Sequence, residues 1–262
     1  MSNVILEVVD SVATITLNRP DSLNAMNDKL MGRLLEIMNE ITARKQIRVV
    51  ILTGAGRGFC AGADLKAVAG QEDSNQTDTE EESGHTLFNT TMRAIHSCPV
   101  PTIARVNGPA GGGGFGLALG CDLIVAARSS FFVATFGPRL GLVPDLGSTW
   151  KLPRLSGRAR ALGISMLGDR ITADQAENWG LIWKAVDDDQ LDAEVERLAN
   201  TLAATSPEAM TRIRTSIDAA HGNDFSTQLD LELEHQSVLI PRNMVEGAKA
   251  FVEKREPQFK GR

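Results

Sequence analysis

The sequence predicts an α/β fold of stacked strand–strand–helix units, closed by a helical C-terminal segment. Three observations carry this. Short β-branched runs alternate with stretches in which apolar residues recur at helical spacing. Two of the predicted strands run directly into glycine-bearing loops. The 262-residue chain is 42% hydrophobic and 23% charged, a balance that suits a globular core.

Val4–Val9 and Val12–Leu17 are separated by Asp10-Ser11 and read as a hairpin, which Asn18-Arg19-Pro20 ends. Asn27 stands where a helix N-cap belongs, and Leu30, Leu34, Leu35 and Met38 follow at helical spacing up to about Arg44. A strand over 48–52 leads into Thr53-Gly54-Ala55-Gly56-Arg57-Gly58, and an acidic loop comes next. A helix is predicted over 83–95, then a buried strand over Thr102–Val106 that Asn107-Gly108-Pro109 breaks. Residues 111–114 are all glycine and lead into small apolar residues; 123–126 and 131–134 are further strands. Beyond Asp145 the pattern is helical apart from a short strand near 181–186, and Trp150, Trp179 and Trp183 read as core residues. The expected organisation is a core over 1–200 and a helical segment over 201–262, with no low-complexity linker between them.

Composition excludes several functions. No apolar run reaches the roughly 18 residues that span a bilayer. The first ten residues, MSNVILEVVD, lack a basic n-region, so a secretory signal is not expected and the cytoplasm is the default location. Cys60, Cys98 and Cys121 are odd in number and lack CxxC spacing, which argues against a disulfide framework and a metal site. Net charge is −6, and Glu72, Asp73, Asp78, Glu80, Glu81 and Glu82 cluster in one acidic run. Without them the remaining acids equal the 27 Lys and Arg, so no basic face for nucleic acid is expected.

The chemistry is expected at the two glycine loops, Gly58-Phe59-Cys60-Ala61-Gly62-Ala63-Asp64-Leu65 and Asn107-Gly108-Pro109-Ala110 with the glycine tract. Glycine lets a backbone N–H approach a ligand without a Cβ in the way. Two such amides from separate loops can converge on one oxygen and hold negative charge there. The rival reading, a dinucleotide site, rests on Gly111, Gly113 and Gly116. A run of glycines satisfies that pattern trivially, and the acid expected about 20 residues on is missing.

Over nearly its whole length the chain resembles the enoyl-CoA hydratase/isomerase (crotonase) family. The resemblance rests on Asn18-Arg19-Pro20 with Asn24-Ala25, on the block Gly58 to Leu65, and on Val106-Asn107-Gly108 with the glycine tract and Cys121-Asp122. It continues through Leu140-Gly141-Leu142-Val143-Pro144-Asp145-Leu146-Gly147-Ser148-Thr149 and Leu152-Pro153-Arg154. Within the family the chain is most similar to the branch that rearranges a ring epoxide in phenylacetate breakdown, in the segment around Asp145 and in the ending Lys254 to Phe259. The resemblance implies a crotonase-like spiral of ββα units with a C-terminal trimerisation region, in a homotrimer or a homohexamer. It implies an acyl-CoA thioester as substrate, with coenzyme A part of that substrate and no separate cofactor or metal. Ala63 and Gly113 would give their N–H groups to the thioester oxygen. Ala61, Asp64, Leu65, Gly112 and Phe136 would line the substrate site. Phe251 and Lys254 match positions that contact coenzyme A, sometimes in a neighbouring subunit; they read equally well as the exposed side of an amphipathic helix.

Hydratases of the family place two glutamates around the double bond. Their counterparts here are Gly116 and either Phe136 or Gly137, and none can transfer a proton. Asp145 remains as the acid and base. It reads also as a helix N-cap, which would lower its pKa, while burial against Phe136, Leu142, Val143 and Leu146 would raise it. Histidines 85, 96, 221 and 235 read as surface or packed helix residues, and the base position of the dehalogenase branch is Asn89. The expected function is therefore an acyl-CoA isomerase, with an enoyl-CoA hydratase or a catalytically silent CoA-binding oligomer as alternatives.

Overall fold

A computed structural model describes residues 2–65 and 78–260. Strands β1 (Val4–Val9) and β2 (Val12–Leu17) form the predicted antiparallel hairpin, with Asp10 in the left-handed conformation at its turn. Helix α1 (Asp28–Ala43) starts where predicted: Asn27 Oδ1 accepts from Leu30 N at 3.0 Å. Strand β3 (Val49–Gly54) runs parallel to β2 and is buried along its length.

From here each unit divides its two strands between two sheets. The large sheet takes β3, β4 (Thr102–Val106), β6 (Leu123–Ala127) and β9 (Lys184–Val186), in the order β1-β2-β3-β4-β6-β9, and every pairing after the hairpin is parallel. The small sheet takes the second strand of two units, β5 (Ala110–Gly111) and β7 (Phe131–Val133), and the short β8 (Ile171–Thr172) that precedes β9. Cys60 joins that side through a parallel bridge to Ala110. Helices follow in turn: α2 (Asp78–His96), α3 (Gly113–Leu119), α4 (Ser148–Leu167) and α5 (Ala173–Asn178). The predicted strand–strand–helix order is realised up to α4, a helix then separates β8 from β9, and the mixed α/β class holds.

Alternation along β3 separates two apolar layers. Val50 and Leu52 join the core with Leu30, Leu34, Ile37 and Ile41 of α1. Val49 and Ile51 join Ile103 and Val125, packed against Leu191, Val195 and Leu198 of α6 (Leu191–Ala203). The chain ends in α7 (Pro207–Ala219), α8 (Phe225–Leu239) and α9 (Val245–Glu253). Two arginines tie this end to the sheet. Arg214 donates to the carbonyls of His96, Cys98 and Val100 and pairs with Asp122. Arg48 donates to Ala203, Thr205 and Phe259 carbonyls.

Three expectations are corrected. Asp78 and the glutamates at 80, 81 and 82 belong to α2 rather than to an acidic loop; Glu72 and Asp73 lie outside the described residues. The helix therefore begins five residues before the predicted start. Trp150 and Trp183 are 37% and 57% exposed, and only Trp179 packs against the core. Trp150 is covered by Arg154 and Lys151, which approach its ring at 4.0 and 5.3 Å, so cation–π contact takes the place of burial.

Candidate functional site

The first loop is held from behind by two asparagines. Asn24, fully buried and in the left-handed conformation, donates to the carbonyls of Ala55, Gly58 and Phe59 and accepts from Arg19 N. Asn107 donates to Gly54 and Gly56 carbonyls at 2.9 Å. Loop carbonyls that no strand satisfies thereby gain partners, and the loop after β3 is fixed.

Backbone pairing then aims Ala63. Met26 N donates to Gly62 O at 2.7 Å, and Asp64 N donates to Met26 O at 2.9 Å. In an extended strand successive N–H groups point to opposite sides. Gly62 O and Asp64 N face Met26, so Ala63 N–H points the other way. On the second loop, Gly111 N donates to Cys60 O at 2.9 Å, which draws the two loops side by side. A Cβ added at Gly62 would lie 2.8 Å from Gly111 O and 3.3 Å from Gly113 N. One added at Gly114 would lie 2.1 Å from Cys60 O. The glycines are there because backbone meets backbone. Gly113 opens α3, so its N–H lies outside the helical ladder. Among the described residues neither Ala63 N–H nor Gly113 N–H donates to a protein acceptor.

A turn over 145–148 covers α3. Leu146 takes the left-handed conformation (φ 50°) and is buried; its Cδ1 would be 3.0 Å from a Cβ on Gly113. A Cβ on Gly116, one helical turn further, would lie 3.0 Å from Leu146 Cβ, 2.8 Å from Ser148 Oγ and 3.4 Å from Asp145 O. Asp145 is thus on the turn that overlies the helix carrying the Gly113 amide. The competing reading of Asp145 as a helix N-cap is not realised: α4 is capped by Gly147, and Asp145 offers its backbone carbonyl, which accepts from Ser148 N at 2.9 Å. The alternative left open by the sequence, burial against apolar neighbours, is not realised in the single chain either. Asp145 is exposed in the single chain, as are Leu142 and Val143, while Leu146 is buried.

The other predicted positions divide. Gly112 is buried between the loops, its N–H bonded to Val133 O. Ala61 and Leu65 are exposed beside Ala63. Asp64 pairs with Arg19 at 2.7 Å. Phe136 is buried in the main core, at the start of a π-helical turn over 136–140. Phe251 is 85% exposed on α9, and Lys254, in the left-handed conformation, ends that helix. Burial pushes the Cys60 thiol up to about 12, so it stays neutral beneath the loop and donates to Asn24 O. Burial lowers the pKa of His96, which meets Trp150 edge-on. Among the described residues no three His, Cys, Asp or Glu cluster as metal ligands, and no helix is long and apolar enough to cross a membrane. Sequence reasoning assigned no role to Arg19, Asn24, Leu146 or Ser148. A polar residue at a helix start within an apolar block was the available signal for Ser148.

Comparison with known proteins agrees with this architecture. The family description "Enoyl-CoA hydratase/isomerase" matches residues 7–262. The chain is 41% identical over 266 residues to a 1,2-epoxyphenylacetyl-CoA isomerase of Escherichia coli, covering all of both chains. It is 33% identical to a short-chain-enoyl-CoA hydratase of Clostridium acetobutylicum, covering 100% of this chain and 99% of that one. An enoyl-CoA hydratase structure from Polaromonas superposes with a TM-score of 0.92 at 32% identity, covering 98% of this chain and 99% of the other.

Proposed function

The chain belongs to the enoyl-CoA hydratase/isomerase family, and within it we propose that this enzyme isomerises an acyl-CoA thioester through an enolate. The supporting observation is the juxtaposition just described. Two loops bring Gly62–Ala63 against Gly113 beside the turn that bears Asp145, while Gly116, Phe136 and Gly137 carry no carboxyl group.

In this reading the thioester oxygen accepts from Ala63 N–H and Gly113 N–H. Asp145 removes a proton from the second carbon of a 3-enoyl-CoA. The electron pair moves through the double bond system, and the charge rests on the thioester oxygen. The same carboxyl group returns the proton at the fourth carbon, giving a 2-enoyl-CoA. No water is consumed, so one carboxylate suffices. Each aimed amide would lower the barrier by about 3 kcal/mol. Asp64 is engaged by Arg19 and orients the loop, which leaves Asp145 as the acid beside α3. For a ring epoxide, the substrate class in the name of the Escherichia coli relative, the same amides and acid would assist rearrangement to the isomeric oxepin.

A hydratase reading is favoured by relatives bearing that name. A homotrimer or homohexamer is proposed from the exposed stripe Phe225, Leu229 and Leu233 on α8. The deciding experiment incubates the enzyme with 2-enoyl-, 3-enoyl- and ring-epoxide CoA thioesters and follows absorbance and mass. Isomerisation at unchanged mass is expected. A gain of one water on crotonyl-CoA, at a rate above isomerisation, would overturn the proposal in favour of hydration, and tight CoA binding without turnover would favour a silent oligomer.

A further inference from the structure

We infer that Ser148 is a further substrate-contacting residue, whose hydroxyl donates a hydrogen bond to an oxygen on the third carbon of the acyl group. The enzyme would then prefer acyl-CoAs oxygenated at that carbon. The inference rests on the acyl-CoA reading above and refines its substrate class.

Ser148 is 2% exposed, and its Oγ has no hydrogen-bond partner. Every other buried hydroxyl among the described residues has one. Ser130 donates to Val106 O, Thr53 to Arg105 O, Thr91 to Leu87 O, Thr102 to Asp122, and Ser206 accepts from Ala209 N. A buried hydroxyl left unpaired is costly, and in a folded enzyme it calls for a ligand or a function.

The position supplies one. Ser148 opens α4 on the turn shared with Asp145 and directs its Oγ at Gly116, 2.8 Å from where a Cβ would stand. Gly116 lies three residues beyond Gly113, about 4.5 Å along the helix axis. An acyl-CoA whose thioester oxygen rests on the Gly113 amide would carry its third carbon over that next turn. Gly113 is buried too, and in this inference one opening serves both its amide and the Ser148 hydroxyl. With no side chain at 116, the Ser148 hydroxyl faces this part of α3 beside the Asp145 carbonyl, which is already engaged by Ser148 N.

The test uses calorimetric binding of butyryl-CoA and acetoacetyl-CoA, which differ by an oxygen on the third carbon and have no hydroxyl to eliminate, to the full chain and to Ser148→Ala, with melting temperature recorded for both proteins. Wild-type is expected to bind the oxygenated ligand about tenfold tighter, the worth of one neutral hydrogen bond. Ser148→Ala should abolish that preference and melt no lower. A preference unchanged by the substitution, or the absence of any preference in the wild-type, would overturn the inference. So would an equal weakening for both ligands with a lower melting temperature, which marks a purely structural role. Because binding is read rather than turnover, failure of isomerisation would leave this result standing on its own.

Discussion

Arg19 Nη2 lies 2.7 Å from Asp64 Oδ2, and Nη1 of the same guanidinium donates to Ala25 O. One side chain therefore grips the residues next to Met26 and Ala63, which are paired strand to strand. The aim of the Ala63 amide is set 44 residues away in sequence, by the motif that ends the first hairpin. Removing the guanidinium while keeping its apolar stem, in Arg19→Met, should lower kcat by roughly tenfold or more with little change in KM, since an oxyanion donor acts mainly in the transition state. A steady-state comparison checks this; a change confined to KM would assign Arg19 to substrate binding instead. Charged hydrogen bonds of this kind also carry about 1.5–3 kcal/mol of stability, so a urea midpoint below wild-type is expected.

Asp145→Asn keeps size and turn geometry but cannot accept the proton. Isomerisation should fall by about 10²- to 10⁴-fold, the usual share of general acid–base catalysis. Circular dichroism should match the wild-type, because the backbone carbonyl of Asp145, which accepts from Ser148 N in the turn, is kept by the substitution. Near wild-type turnover in a folded variant would remove Asp145 from the mechanism.

The same substitution should have opposite signs at two glycines. Gly32 lies within α1 with nothing within 4 Å of an added Cβ, so Gly32→Ala should stabilise by about 0.5–1 kcal/mol through helix propensity. Gly114→Ala would drive its Cβ to 2.1 Å from Cys60 O, a backbone atom that cannot rotate away. Loss of about 3 kcal/mol or more is expected, together with loss of activity, because the two loops would be forced apart. Urea unfolding of both variants reads the pair; a stable, active Gly114→Ala would mean that close apposition of the loops is not required.

The fold was legible in the amino-acid sequence further than the candidate site was. Strands with β-branched alternation and the Asn27-capped helix were legible because their signals are local: period two, period 3.6 and a cap. The small sheet was not, since Ala110–Gly111 and Ile171–Thr172 are two-residue strands whose partners are distant in sequence. The close approach of the two loops was legible because backbone meeting backbone demands glycine, while the choice of Ala63 and Gly113 as proposed donors came from the family resemblance. The surroundings of Asp145 were not. Leu146 takes a positive φ that is disfavoured for leucine, and Gly147 rather than Asp145 caps α4, which leaves residue 145 exposed in the single chain. That local conflict is held by packing of Leu146 on α3, which no pattern in the sequence encodes.

The buried thiols make alkaline stability a further test. Burial pushes both Cys60 and Cys121 up to about 12 from an ordinary value of 9.0. Below pH 9 both are protonated in the folded and unfolded chain, and their contribution is constant. Between pH 9 and about 12 the unfolded chain releases these protons while the folded chain keeps them, so unfolding gains and stability falls with rising pH. Each thiol adds a slope of about 1.4 kcal/mol per pH unit over that window. The chain has no tyrosine, so phenol ionisation does not overlap the effect. Urea midpoints at pH 8, 9, 10 and 11 should decline beyond pH 9 in the wild-type and decline less steeply in Cys60→Ala and Cys121→Ala, whatever each substitution does to stability at pH 8. Parallel declines in all three proteins would show that the buried thiols do not govern the alkaline limb.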